Sequence, residues 1–109
     1  MAKFNVESLL EDIKNNAISS VKTDVKDFLS ETETDIKEFI VSQKNNIIKY
    51  AELLENKEIN QDEFNDLMLG LKDLCQMKAL EEKGIAIAKL DKIKSDIMDS
   101  IINTIISKV

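Results

Sequence analysis

The sequence contains no histidine, no arginine, no tryptophan and no proline, and each absence excludes something. Without histidine the chain lacks the most common general base and the imidazole ligand of transition metals. Without arginine it lacks the planar guanidinium that recognises phosphates and guanine edges, and all 15 basic residues are lysines. With a net charge of −6 as well, we expect no catalytic residues, no metal, no cofactor and no nucleic-acid partner.

Cysteine and long apolar runs are equally scarce. Cys75 is the single cysteine, so no disulfide forms within the chain, and an unpaired thiol fits a reducing compartment. The chain does not open with a basic segment followed by an apolar one, and no stretch reaches the ~18 apolar residues of a membrane span. We expect a cytoplasmic protein, with leaderless secretion as the alternative. The richness in isoleucine, lysine and asparagine is typical of an AT-rich bacterial genome.

Little in the sequence interrupts helices, because proline is absent and Gly70 and Gly84 are the only glycines. An apolar fraction of 43% is too high for a solvated, disordered chain. These features predict one all-α domain that spans residues 1–109.

An eleven-residue repeat runs along the first half of the chain. Residues 23–29 (TDVKDFL), 34–40 (TDIKEFI) and 45–51 (NNIIKYA) align at this offset. Eleven residues complete three turns at 3.67 residues per turn, close to the natural 3.6, so the apolar stripe stays nearly straight. This period predicts a first helix over residues 6–55, about 70 Å long at ~1.5 Å per residue.

A turn is expected at residues 56–60. Asn60 and Glu63 have the spacing of a capping box, in which each side chain binds the backbone amide of the other residue. Asn56 is the candidate for a left-handed residue that ends the first helix. A second helix is predicted over residues 61–107, so the fold expected is a long antiparallel two-helix hairpin.

Antiparallel pairing of these helices predicts the core of the hairpin. Its expected residues are Val21, Val25, Phe28, Ile36, Phe39, Ile47, Leu54, Phe64, Met68, Leu71, Cys75, Ala86, Leu90 and Ile93. The polar Thr32 and Glu82 would lie at one level of this seam, where they either form a polar layer or extend to water.

A two-helix seam needs only a narrow apolar stripe, and these helices carry more than one seam can cover. The surplus predicts a partner interface formed by Ile18, Leu29, Ile40, Ile97, Met98, Ile101, Ile102, Ile105 and Ile106. Ten such side chains left in water at ~1.5–3 kcal/mol each would exceed the stability of a small domain. We expect the hairpin to assemble into a higher-order helical bundle.

Two function classes follow from this surplus. The first is a non-enzymatic structural or assembly protein that self-associates as a closed oligomer or a filament, with a different helical protein as the other possible partner. The second is a membrane-active hairpin that places its Ile-rich C-terminal helix on or in lipid, because eleven-residue amphipathic repeats also occur in proteins that lie along membranes. The negative charge disfavours attraction to anionic headgroups.

The segment around the expected turn resembles the short C-terminal hairpin of bacterial SHOCT proteins. The matching features of residues 50–73 are the Leu53-Leu54 pair, Glu58-Ile59, Glu63-Phe64 and Leu67. Lys57 and Asn60 stand where that pattern has glycine and threonine, and the similarity covers less than a quarter of the chain. The resemblance implies a small bacterial helical-hairpin protein with an oligomerisation or binding role and no catalysis.

Overall fold

The computed structural model describes residues 5–109, and all regular secondary structure in this range is helical, which confirms the all-α class. The six α-helices are α1 (Val6–Val21), α2 (Leu29–Ser42), α3 (Lys44–Glu55), α4 (Gln61–Leu69), α5 (Lys78–Glu82) and α6 (Ile87–Lys108). Short 3-10 turns at Lys26–Phe28 and Lys72–Leu74 precede α2 and follow α4. Residues 1–4 of the predicted 1–109 domain lie outside the described residues.

Helix α1 begins at a side-chain cap and buries one narrow stripe. The Asn5 side-chain oxygen accepts a hydrogen bond from the Ser8 amide at 2.9 Å, which satisfies one of the unpaired donors of the first turn. The buried side chains of α1 recur every four residues, as expected for one face of a helix: Leu9, Ile13, Ala17 and Val21.

The predicted first helix over residues 6–55 is interrupted twice, and this expectation is therefore corrected. The first break covers residues 22–28, and the second is confined to Gln43, between α2 and α3. Gln43 leaves the helical conformation at φ −106°, although its amide still donates to the Phe39 carbonyl oxygen and its own carbonyl still accepts from the Ile47 amide, both at 2.9 Å. No glycine or proline marks either break, although residues 23–25 and 27–28 of the first break are weaker helix formers than alanine, leucine or lysine.

Burial explains the first break. The bend brings Val25 into the core, where 1% of its surface is exposed, and lets α2 fold back beside α1. A straight helix of about 70 Å would leave its wide apolar face in water, whereas the longest dimension of the folded chain is 43 Å.

The predicted second helix over residues 61–107 is interrupted as well. Helix α4 ends at Gly70, and residues 75–77 are not helical. Helix α5 ends in a left-handed glycine, Gly84, at φ +75°, where the Ile85 amide donates to the Leu80 carbonyl oxygen. This is the hydrogen-bond pattern by which glycine commonly terminates a helix, and α6 starts three residues later.

The turn between α3 and α4 contains the expected capping box. The Glu63 amide donates to Asn60 Oδ1 at 2.8 Å, and the Asn60 amide donates to Glu63 Oε1 at 3.0 Å. The left-handed residue is Lys57, at φ +62°, and not Asn56, whose φ is −79°. The left-handed residue thus lies one position later than expected, and α3 ends at Glu55.

The six helices form three pairs, nested along the chain from the outermost pair to the innermost. Helix α1 packs most extensively on α6, α2 packs on α5, and α3 packs on α4. The two terminal helices run antiparallel, since the Lys108 ammonium binds Asp12 at 3.0 Å while the Lys92 ammonium reaches Asp24 at 3.4 Å. In addition α1 contacts α2 and α4 contacts α6, so the chain folds back on itself around one apolar cluster.

Candidate interaction groove

The structure buries most of the side chains that were assigned to the hairpin core. Eleven of these residues are buried: Val21, Val25, Ile36, Phe39, Ile47, Phe64, Met68, Leu71, Cys75, Leu90 and Ile93. Phe28 and Leu54 are half-buried against the same cluster, and the Lys83 ammonium lies 5.6 Å from the centre of the Phe28 ring. Ala86 is exposed, because it precedes α6 in an extended conformation and does not lie within a helix.

The polar pair at the seam does not form a layer. The Thr32 hydroxyl donates to the Phe28 carbonyl oxygen at 2.8 Å and is buried, while Glu82 is exposed. The Thr32 hydroxyl thus has its hydrogen-bond partner in the residue that precedes α2.

The side chains that were assigned to a partner interface are largely covered by the same chain. Six of them are buried: Ile40, Ile97, Met98, Ile101, Ile102 and Ile105. Ile18, Leu29 and Ile106 are half-buried against the core. The expectation of a wide uncovered face assumed straight helices. The breaks let α2 fold back on α1 and α4 contact α6, so the chain itself covers most of this face. The Ile18, Leu29 and Ile40 edge of that face lines a surface groove.

This groove lies between α1 and α2, and we call it the α1–α2 groove. Its first section, of about 280 Å³, is lined by Leu10 on α1 and by Ile40 and Val41 on α2. Its second section, of about 400 Å³, continues past Ile18 to Leu29. Residues near the start of α1 face the end of α2, and the end of α1 faces the start of α2, so the two helices are antiparallel along the groove.

Charged side chains flank the apolar floor. Glu7 and Glu11 line the first section from α1, and we call them the acidic wall. Lys37 on α2 and Lys44 at the start of α3 line it from the opposite side, and we call them the basic wall. All four are exposed, whereas Leu10 between them is half-buried and Ile40 is buried.

Glu11 interacts mainly with a lysine of its own helix. A hydrogen bond and charge attraction from Lys14 hold the pKa of Glu11 below its usual value, and Lys37 across the groove adds to the effect. The Lys14 ammonium lies 2.8 Å from the Glu11 carboxylate. Among the described residues, neither Glu7 nor Lys44 forms an ion pair within the chain.

Val41 is the residue of this groove that the sequence reasoning missed. It lies in the last turn of α2 and is 74% exposed, although its neighbours Phe39 and Ile40 are buried. The signal in the sequence was three consecutive apolar residues, 39–41, because a helix cannot direct three neighbours to one buried face. A valine exposed beside an apolar groove is an anchor available to a second surface.

The metal-ligating and nucleophilic side chains of the described residues are dispersed or buried. Within residues 5–109, no three histidine, cysteine, aspartate or glutamate side chains are arranged to hold a metal ion. The Cys75 thiol is fully buried, and burial raises its pKa to about 11, so the reactive thiolate is not formed near neutral pH. Asp35, the buried carboxylate, accepts a hydrogen bond from the Ala79 amide at 3.0 Å and thereby fixes the start of α5.

Fold and groove together define a small all-helical protein with an apolar groove between two oppositely charged walls. None of the helices described here combines the length and apolar character needed to cross a membrane. A scan against protein families, a search of curated proteins and a search of solved structures each found no match to this chain.

Proposed function

We propose that this chain is a non-enzymatic assembly protein that self-associates through the α1–α2 groove. The observation that carries the proposal is the exposed Val41 beside an apolar floor, between an acidic and a basic wall. A surface with both charges on its two sides is complementary to itself, since the acidic wall of one copy can face the basic wall of another. The occupant that best fits the groove is a second copy of this chain.

Local charge also favours a second copy. The chain carries a net charge of −6, so two copies repel each other in general. The groove is the exception, because it is lined by four lysines (Lys14, Lys22, Lys37 and Lys44) against three glutamates (Glu7, Glu11 and Glu33). Two copies that meet at this face avoid the repulsion that their other surfaces would impose.

The size of the groove predicts a weak association. Helix α1 has 16 residues and is thus about 24 Å long, and two adjacent helices are about 20 Å wide. Such a patch is smaller than the ~800 Å² per partner of a standard interface. We expect a reversible dimer with a dissociation constant on the order of micromolar.

The membrane-active function receives less support from the geometry. It requires the Ile-rich end of α6 to meet lipid, and there Ile101 and Ile105 are fully buried. Helix α6 would first have to separate from α1, its most extensive packing partner. Lipid binding is therefore kept as one outcome of the test below.

Substitution of Val41 by lysine tests the proposal. Lysine in the last turn of α2 suits the helix and its dipole, so the monomer is expected to keep its stability. In the dimer the ammonium would be forced into an apolar contact, which we expect to weaken association at least about tenfold. Sedimentation equilibrium across micromolar to millimolar concentrations measures both dissociation constants.

Ile87→Lys is the matched control, because Ile87 is also branched at Cβ, is 84% exposed and lies outside the groove. It should leave the dissociation constant within about twofold of wild type. A wild-type chain that stays monomeric at millimolar concentration contradicts the proposal, as does equal weakening by both variants. Cosedimentation of the monomer with vesicles of phosphatidylglycerol would favour the membrane function in its place.

A further inference from the structure

Residues 23–28 and 34–39 have nearly the same sequence but adopt different structures. The first reads TDVKDF and the second TDIKEF, so they differ only by Val25 for Ile36 and by Asp27 for Glu38. Residues 34–39 lie entirely within α2, whereas residues 23–28 form a turn and a 3-10 helix between α1 and α2. We call residues 22–28 the hinge segment. Its sequence is compatible with an α-helix, so tertiary contacts hold it bent.

Little has to change for the hinge segment to become helical. The Val25 amide already donates to the Val21 carbonyl oxygen at 3.0 Å, which is the hydrogen bond of an α-helix. Lys22 at the start of the segment and Leu29 after its end have helical backbone angles. Val25 and Phe28 depart from these angles, at φ −121° and −132°. Rotation of the backbone at a few residues would thus join α1 to α2.

The apolar stripe of α1 continues through the hinge segment in helical phase. The buried residues of α1 recur every four positions, and Val25 follows Val21 in this series. Ile36 and Phe39, which are buried on α2, lie eleven positions after Val25 and Phe28. A straight helix over residues 6–42 would therefore carry one unbroken apolar stripe. A permanently bent segment gains nothing from this phase, whereas a segment that straightens requires it.

We propose that the hinge segment straightens and that two copies of the chain exchange α1. In a single copy, straightening would remove α1 from α6 and leave its buried side chains in water, so the straight form is unstable alone. Two straightened copies restore these contacts, because α1 of each copy takes the place of the other's α1 on α6 and beside α2. The surface that α1 leaves is thus filled by a second copy of this chain.

The directions of the helices permit this exchange. The end of α1 lies beside the start of α2, since Ile18 and Leu29 line the same section of the α1–α2 groove. In the exchanged dimer the two hinge segments therefore cross in antiparallel direction on a two-fold axis, and the α1–α2 groove is rebuilt between the chains. The exchange goes beyond the groove contact proposed above, because no step of it involves the exposed Val41.

Cross-linking between α1 and α6 tests the exchange. Asp12 and Lys108 form a 3.0 Å ion pair between these helices, and both side chains are partly exposed. Asp12→Cys and Lys108→Cys are made as separate variants, unfolded in urea, mixed, and refolded together at millimolar concentration. We expect a short bismaleimide to join the two variants into a covalent heterodimer. Variants refolded separately and mixed just before the reagent is added should give none, since α1 must leave α6 to exchange. Wild-type protein is the blank, because its Cys75 is buried.

Helix-favouring substitutions test the role of the hinge segment. Thr23 and Asp27 are exposed, and replacing both by alanine favours the helix at two hinge segments in each dimer. We expect this double variant to lower the dissociation constant of the exchanged dimer at least about tenfold, as measured by size-exclusion chromatography after refolding over a range of concentrations. Thr34→Ala with Glu38→Ala is the matched control at the equivalent positions of the second repeat, which are helical in both forms. It should leave this constant within about twofold of wild type.

The outcomes separate the exchange from the groove contact. The bismaleimide is selected by its ability to cross-link, at low concentration, a single chain that carries both cysteines. With this reagent, absence of the heterodimer after joint refolding overturns the exchange, as does an equal gain from the hinge variant and its control. The heterodimer should also form when both variants carry Val41→Lys, and its loss there would assign the association to the groove instead. Natively purified protein that stays monomeric defeats the groove contact and leaves exchange on refolding standing.

Discussion

At the scale of single residues, Cys75 shows how burial changes chemistry. It is fully buried, and burial, assisted by the charge of Asp35 and opposed by Lys94, raises the pKa of the thiol to about 11. The unfolded thiol titrates near pH 9. Between these values the folded chain retains a proton that the unfolded chain has lost, so this residue's contribution to stability is complete below pH 9 and falls as pH rises.

This difference predicts a pH-dependent effect of Cys75→Ala. A two-unit shift corresponds to about 3 kcal/mol, so the free energy of unfolding of wild type should decrease by up to that amount, relative to the variant, between pH 9 and 11. Urea unfolding of both proteins at intervals of pH measures this decrease. Subtracting the variant's free energy of unfolding removes the effect of lysine titration, which both proteins share. A constant difference across this range would show that the thiol is not desolvated.

At the scale of elements, α5 depends on a residue from another helix. With five residues it is too short to be stable alone, and it has no cap from its own preceding residue. Asp35 of α2 supplies the acceptor for the Ala79 amide, at a distance of 3.0 Å. This long-range cap was not predictable from the sequence, because the two residues lie 44 positions apart.

Asp35→Ala should therefore loosen α5 specifically. We expect the free energy of unfolding to fall by about 1–2 kcal/mol, with loss of amide protection at residues 78–82, because a partly buried amide loses its acceptor. Hydrogen exchange followed by mass spectrometry locates the change. Glu38→Ala is the control, since Glu38 is an exposed acid one turn along the same helix and should leave α5 protected. Equal exchange in both variants would contradict the assigned role.

At the scale of the whole molecule, the packing of α1 on α6 joins the two ends of the chain. The Asn16 side-chain amide donates to the Thr104 hydroxyl oxygen at 2.9 Å, and the Thr104 hydroxyl donates to the Ser100 carbonyl oxygen. Ile13 is fully buried among the core residues at this seam. One continuous apolar cluster extends from this seam to α3. Tyr50, a residue of α3, packs against this cluster.

Continuity of the core predicts cooperative unfolding. Ile13→Ala should lower the free energy of unfolding by about 2–5 kcal/mol, and the transition of Tyr50 fluorescence should shift together with that of the helical circular dichroism. Ile87→Ala, at an exposed position, should change stability by less than about 0.5 kcal/mol. If the Tyr50 transition stayed in place while the helical signal shifted, α1 and α3 would belong to separate units.

The amino-acid sequence by itself determined the helical class, the capping box at Asn60 and the apolar character of most core positions, since these depend on periodicity and on contacts three or four residues apart. It did not reveal the breaks at residues 22–28 and at Gln43, where no glycine or proline interrupts the helical pattern. Tertiary structure decided those breaks, because only the folded chain shows that bending buries more apolar surface than a straight hairpin can. The same bends buried the apolar side chains between Ile97 and Ile105, and they left Val41 exposed beside the charged walls of the groove.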